Sequence, residues 1–290
     1  FENQQKRIKY IKDWSRARGV TFTGCETKLK IFSIKGGQDA VKIYLNEITK
    51  LVYKYDSIKT PFANEFCYGT YHTIRMYKKQ DKWYVTVDWY NDPFDDSMPE
   101  NAQPAVSIQE SIPKTTMAFA YNRIKAVEYA DKYCGANYYL ADGYKYNRKY
   151  RNYANQGGDC ANFASQVLSD SSAGSIRMSS GWLYNFRKGE ASAAWINAGA
   201  FTHNMLYSGR AKLAAKGKYN RVVNYEKAIS PGDIICYEIK GDIVHVSIVT
   251  ALDSAGVPLV DSHTNNRYHV PWDLGWNSDN VTFWFLKVNG

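Results

Sequence analysis

The sequence predicts an α+β protein in two parts, and three observations carry that prediction. The chain opens on a basic, helix-like segment and passes directly into long alternating stretches rich in Tyr and β-branched residues. Prolines and acidic residues then break the pattern between 92 and 113. The second half begins helical and ends in short apolar strands parted by tight turns. Helices segregated from strands, rather than alternating with them, point to α+β and away from a parallel sheet. A chain of 290 residues has length for two cores. The expected division is a first domain over 1–95, a linker over 96–113 and a second domain over 114–290.

Residues 2–18, ENQQKRIKYIKDWSRAR, place Ile8, Ile11 and Trp14 at helical spacing, and Gly19 is the stop. VTFTGCETKLKIFSI and DAVKIYLNEITKLVYKY follow as extended segments. GTYHTIRMYKKQDKWYVTVDWYND reads as a hairpin turning at KKQDK. In pattern this first part resembles a small cystatin- or NTF2-like module. Its aromatics Tyr71, Trp83, Tyr84, Trp89 and Tyr90 are expected to pack a sheet, and His72, alternating with Thr70 and Ile74, to be structural. NDPFDDSMPENAQP has the composition of a calcium loop without its fixed positions and glycine, so it is read as solvated linker.

The second part opens with TTMAFAYNRIKAVEYADKYC, an amphipathic helix with Ala118, Tyr121, Ile124, Ala126 and Val127 on its apolar side. GGDCANFASQ then sets Cys160 behind two glycines and an aspartate. Gly157 and Gly158 permit a bend closed to other residues, and Asp159 is expected to cap a helix by accepting from its free amides. Cys160 would stand at the positive end of that helix, where a thiolate is favoured; a buried core cysteine is the alternative. Residues 171–230 read as loops with one or two helices. SPGDIICYEI, KGD and IVHVSIVTAL make a hairpin with His245, Ser247 and Val249 on one face. VPLVDSHTNN adds a strand on which Leu259, Asp261 and His263 share a face. Antiparallel neighbours of this kind can set His245 beside His263. A thiol, an imidazole and a group fixing the imidazole tautomer are what nucleophilic catalysis by cysteine needs.

Composition narrows the partners. The net charge of +9 comes from 37 Lys and Arg against 28 Asp and Glu, without a basic block. No nucleic-acid partner is expected from that distribution, whereas a mild positive field suits an anionic polymer such as a bacterial cell wall. No apolar run is long enough to span a membrane. The chain begins at Phe1 without a signal peptide, as a trimmed or mature product would. Cys25, Cys67, Cys134, Cys160 and Cys236 form no C-x-x-C pair. Cys25 and Cys67 are candidates for a bridge, and the odd count leaves at least one thiol unpaired if the others bridge. The histidines show no H-E-x-x-H motif, so neither a metal nor a cofactor is expected.

YNRIKAVEYADKYC, GGDCANFASQVL, SPGDIICYE, HVSIVTA and DSHTNNR, in that order within 114–290, resemble the amidase domain of secreted Gram-positive bacterial proteins. That domain is a relative of the CHAP and NlpC/P60 papain-like cysteine hydrolases. The resemblance implies a papain-like fold for 114–290, with Cys160 as nucleophile and His245 as general base. For the third position, CHAP enzymes carry a glutamate followed two residues later by an asparagine, which sets His263 and Asn265 on those places. NlpC/P60 enzymes use a histidine, which favours His263; Asp261, on the same face, competes. Ala161 and Ala164 stand where the family has bulkier residues. The backbone amide of Cys160 would serve the oxyanion, with Gln156 a candidate for the second donor, and Trp182, Trp272 and Trp276 are candidates to line the cleft. The implied activity is that of a cysteine amidase or endopeptidase acting on peptidoglycan peptides, in a secreted or cell-surface protein. A papain-like acyltransferase and a non-catalytic wall-binding protein are the alternatives. On this reading residues 114–290 alone are expected to cleave a small soluble peptide. Oligomeric state is not legible.

Overall fold

The computed structural model describes residues 2–58, 63–94, 120–156, 158–179, 181–276 and 280–290. The first part holds α1 (Glu2–Arg18), β1 (Val20–Gly36), β2 (Ala40–Tyr55), β3 (Asn64–Lys79) and β4 (Lys82–Tyr90). The second opens with α2 (Arg123–Tyr133), α3 (Cys160–Ser169), β5 (Tyr184–Asn185), β6 (Glu190–Ala191), α4 (Ala193–Ile196) and α5 (Ala198–Tyr207). It continues with β7 (Ala211–Gly217), α6 (Tyr219–Val222), β8 (Ile234–Ile239), β9 (Asp242–Leu252), β10 (Pro258–Ser262), β11 (Arg267–Pro271) and β12 (Val281–Val288). The expected linker, its acidic loop from 95 onward and the start of the expected helix at 115–119 lie outside the described residues. The helix itself starts at Arg123, where the Asn122 side chain accepts from the Lys125 amide at 3.1 Å.

The protein is mixed α and β, dominated by one antiparallel sheet. Among the described residues it has ten strands, ordered β1-β2-β3-β11-β10-β9-β8-β12-β7, with β4 also paired to β3. One strand, β3, joins the halves. Its first half pairs with β11 through Cys67↔Tyr268 and Tyr68↔Arg267, and its second half pairs with β4. α1 lies over this junction. Trp14, Val20, Tyr53 and Phe66 from the first part share a core with Val270 and Leu274 from the second. Polar ties reinforce it: Trp14 Nε1 donates to Asp273 at 3.1 Å, Arg18 pairs with Asp273 at 2.7 Å, and the Tyr53 and Tyr55 hydroxyls donate to Asp253 at 2.8 and 2.6 Å.

The shared core changes what truncation should do. A chain cut to 114–290 bares Val270, Leu274 and the edge of β11, which removes several kcal/mol of burial at about 25 cal/mol per Å². We expect its melting temperature to fall by roughly 10 °C or more below that of the full chain. A cut chain that melts cooperatively at the full-length temperature would contradict the shared core.

Across the rest of the sheet, two layers form. On one face, α2, α3 and α5 pack Ala130, Phe163, Val167 and Phe201 against Cys236, Val246 and Ile248. The other face buries Tyr237, Val249, Trp272, Trp276, Phe283 and Phe285. The 171–230 region holds, besides helices, the strand β7, whose AKLAAKG lacks β-branched residues and gave no strand signal. It pairs with β12 alone, at the sheet edge. No helix among the described residues is long and apolar enough to cross a membrane.

Two expectations for the first part need correction. Only part of the β4 aromatic set packs: Tyr90 stacks on His72 at 5.0 Å and Tyr84 on Tyr77 at 5.8 Å, but Trp83 is 41 % and Trp89 61 % exposed, because this hairpin runs beyond the layer that α1 supplies. No Cys25–Cys67 bridge forms, and all five thiols are free. β2 lies between the strands that carry them, so the two cysteines are separated by about two strand spacings, roughly 9–10 Å, beyond disulfide reach. His72 is structural as expected, held by Asp88 at 2.8 Å and Thr70 at 3.0 Å.

Candidate active site

Gly158 turns the chain into α3 at φ +124, and a Cβ there would crowd Thr264 Oγ1 at 3.3 Å. Asp159 occupies the N-cap position, but its side chain makes no capping bond. Its Oδ1 accepts from the Tyr153 amide at 2.7 Å and Asn162 Nδ2 at 2.8 Å, while Oδ2 lies 2.6 Å from His263 Nδ1. Its own N–H donates to Thr264 Oγ1 at 2.7 Å. The expected capping role is therefore corrected: a buried carboxylate facing an imidazole gains more from that charge-assisted bond than from a helix amide.

His263 is buried, and its ring is stacked between Tyr146 at 3.6 Å and Phe163 at 4.2 Å. Its Nε2 lies 2.7 Å from the Tyr133 carbonyl. Each ring nitrogen thus lies within hydrogen-bond distance of an oxygen acceptor. Asn162 completes the cluster, donating to Asp159 and to the Arg151 carbonyl and accepting from Trp195 Nε1 at 2.8 Å. The GGDC and DSHT segments, far apart in sequence, are thereby joined at the start of α3.

Cys160 is the first residue of α3 and is buried. Its Sγ faces the backbone N–H groups of Val246 and Ala161, yet burial outweighs those donors and pushes the thiol up to about 11. At neutral pH the sulfur carries its proton.

His245 does not join it. Cys236 pairs with Val246 and Tyr237 with His245, but Glu238 pairs with Ile243, so Val244 is an extra residue in β9. A second irregularity decides where His245 lies relative to His263: β9 pairs with β10 as Ala251↔Leu259 and then Val249↔Val260, so Thr250 is an extra residue, and this one-residue slip carries His245 to the face opposite Asp261 and His263. Val246 faces α3, and the His245 ring lies opposite, 5.2 Å from Trp276 and 5.5 Å from Tyr237. His245 and His263 are therefore not side by side, which corrects that expectation. Burial, with a smaller contribution from Arg267, holds His245 down at about 3, and its Nε2 has no partner. An imidazole so placed is a weak base at neutral pH.

That position makes a prediction. The unfolded chain protonates His245 near 6.5 while the folded chain resists until about 3, so the stability this residue contributes is intact above 6.5 and drains as pH falls toward 3. The cost is about 1.4 kcal/mol per pH unit. His245→Phe removes it, so the variant's melting temperature relative to the parent should rise steadily from pH 7 to pH 4. A constant difference across that range would show that His245 titrates normally.

The remaining expected site residues lie elsewhere. Asp261 shares the His263 face, as its spacing implied, but bonds Thr250 at 2.9 Å and the His269 amide at 2.7 Å rather than an imidazole at Cys160. Asn265, at φ +65, accepts from Asn91 at 3.3 Å and has no contact with Cys160 or His245 among its described bonds. Gln156 spends its backbone N–H on Tyr153. Trp182, Trp272 and Trp276 are buried packing residues instead of a cleft lining. Sequence reading missed the Asp159–His263 pair, although both residues stood inside motifs it had singled out.

Residues 120–286 match the family described as "Putative amidase domain", more than half of the chain. The protein belongs to this amidase family. The match runs from the residues before α2 into β12 and contains Asp159, Cys160, His245 and His263. Among curated proteins, the Uncharacterized protein YhbB of Bacillus subtilis (strain 168) is 32 % identical over 153 residues. That stretch is 51 % of this chain and 42 % of the relative, so the chain spans less than half of the relative's length. No solved structure matches. Membership in the amidase family points, at a coarse level, to hydrolysis of amide bonds.

Proposed function

We propose that this protein is a cysteine-dependent amide hydrolase, with Cys160 as nucleophile and His263, held by Asp159, as its imidazole. One observation carries the choice of imidazole: the 2.6 Å contact between Asp159 and His263 sets a carboxylate-anchored ring beside the start of α3, whereas His245 points to the opposite layer. In the reaction, neutral His263 turns Nε2 from the Tyr133 carbonyl to Sγ and takes the thiol proton. The thiolate attacks the amide carbon, and backbone N–H groups at the start of α3 receive the oxyanion. The imidazolium then protonates the leaving amine, giving a thioester and free amine. Water, deprotonated by His263, attacks the thioester and releases the acid and the thiol. We take the substrate to be the peptide of bacterial peptidoglycan, met at the cell surface or outside it. The sequence resemblance and the net charge of +9 support that class, since wall polymers are anionic.

The buried, protonated thiol favours one other reading, a wall-binding protein whose cysteine is inert. Digestion of purified peptidoglycan by the full chain, with fragments identified by mass, separates them. Hydrolysis yields new pairs of free amine and carboxyl ends. Wall recovered intact, with the protein folded and bound to it, would favour the binding reading.

A further inference from the structure

Away from Cys160, three side chains from three elements converge. Asp131 lies in the last turn of α2, Asp261 on β10 and His269 on β11. One potential ligand atom from each lies within 4.8 Å of the other two. His269 Nε2 is 3.1 Å from Asp131 Oδ1. Asp261 is fully buried and oriented by two donors on Oδ1, Thr250 Oγ1 and the His269 amide, while its Oδ2 has no hydrogen-bond partner.

That orphan oxygen is the decisive feature. Left ionised, it is an uncompensated buried charge beside a second carboxylate. Protonated, it becomes a donor that still needs an acceptor. A cation satisfies it in one step and relieves the repulsion between the two aspartates. The spacing is right as well: bonds of about 2.0–2.2 Å to oxygen and nitrogen place ligand atoms within roughly 4.4 Å of one another, a small closure from what is seen. The two donors on Oδ1 hold the carboxylate in place as outer-shell partners do at metal centres.

The geometry points to a divalent-cation site formed by Asp131, Asp261 and His269, with two oxygen ligands and one nitrogen ligand. Such a donor set suits manganese or zinc. The cation would clasp α2 to β10 and β11, the latter being the strand that carries β3 and the whole first part.

Manganese is the probe, because it avoids the free thiols that zinc would also seek. Full-length protein stripped with a chelator is titrated with Mn²⁺ and followed by electron paramagnetic resonance, where bound ion loses the six-line signal of the aquo ion. We expect one site per chain. Asp131→Asn and His269→Gln, both at half-buried positions that the core does not need, should each weaken binding at least tenfold. Asp142→Asn, a surface carboxylate paired with Lys30 and Lys145, should leave it unchanged. No binding at millimolar Mn²⁺, or binding that neither Asp131→Asn nor His269→Gln weakens, would overturn the site.

Discussion

Cys160→Ser is expected to abolish amide hydrolysis, by roughly 10⁴-fold or more, while the protein keeps its fold. Loss of a covalent nucleophile has an effect of that order because the rest of the machinery has nothing to act through. The exchange is nearly isosteric, and a hydroxyl can accept from the Ala161 and Val246 amides that now face Sγ, so stability should change little. The other thiols provide the comparison. Cys67, Cys134 and Cys236 are buried, and their serine variants should cost stability before activity. Cys25 is exposed on β1, and its serine variant should behave as the parent. Turnover by Cys160→Ser at the parental rate would remove Cys160 from the mechanism.

The second large effect concerns the pair beside it. His263→Ala should lower turnover on the order of a hundredfold or more, as loss of a catalytic imidazole or its anchor does. It should also destabilise the protein by about 3–5 kcal/mol, because it leaves Asp159 as an unpaired buried charge. A fall in activity alone would therefore not separate catalysis from folding. Asp159→Asn separates them: the amide keeps the shape and can still bond Tyr153 and Asn162, but no longer favours a charged imidazole. If His263 is the imidazole, this variant stays folded and its rate profile shifts along the pH axis. His245→Phe supplies the opposite control and should retain hydrolysis. Should His245→Phe be inactive and folded while His263→Gln works, the β9–β10 register must shift during turnover, and His245 resumes the role the sequence resemblance gave it.

The contrast between these two histidines shows what the sequence could and could not reveal. Alternation placed Asp261 and His263 on one face correctly, even though the pairing with β11 slips at Asp261 and His263 lies just past the end of β10. The same rule misplaced His245 relative to His263, because the extra residue at Thr250 leaves no mark: VSIVTAL has neither the glycine nor the break in hydrophobicity that often signals a bulge. α1, the strands β1 and β2, the β3–β4 hairpin and the three strands from β8 to β10 were legible from period and turn residues alone. β11 was not, since RYHVP is short, polar at its start and held in place by pairing with β3, a contact between residues about 200 positions apart. That pairing, invisible to any local pattern, is also why the first part sits against the second with a common core. Asp159 was legible as an N-cap in position but not in partner, because its choice of His263 over the helix amides depends on burial that only the fold creates.

Covalent catalysis by Cys160 passes through a thioester that can be trapped. Under conditions where the full chain demonstrably cleaves peptidoglycan peptide, samples are quenched in acid within milliseconds to seconds and the intact protein is weighed. A fraction of chains should be heavier by the acyl fragment of the substrate, the added mass lost on treatment with hydroxylamine as a thioester is, and mapped by digestion to Cys160. Turnover with the chain at its unmodified mass at every quench time, or an adduct carried by a different residue, would contradict it.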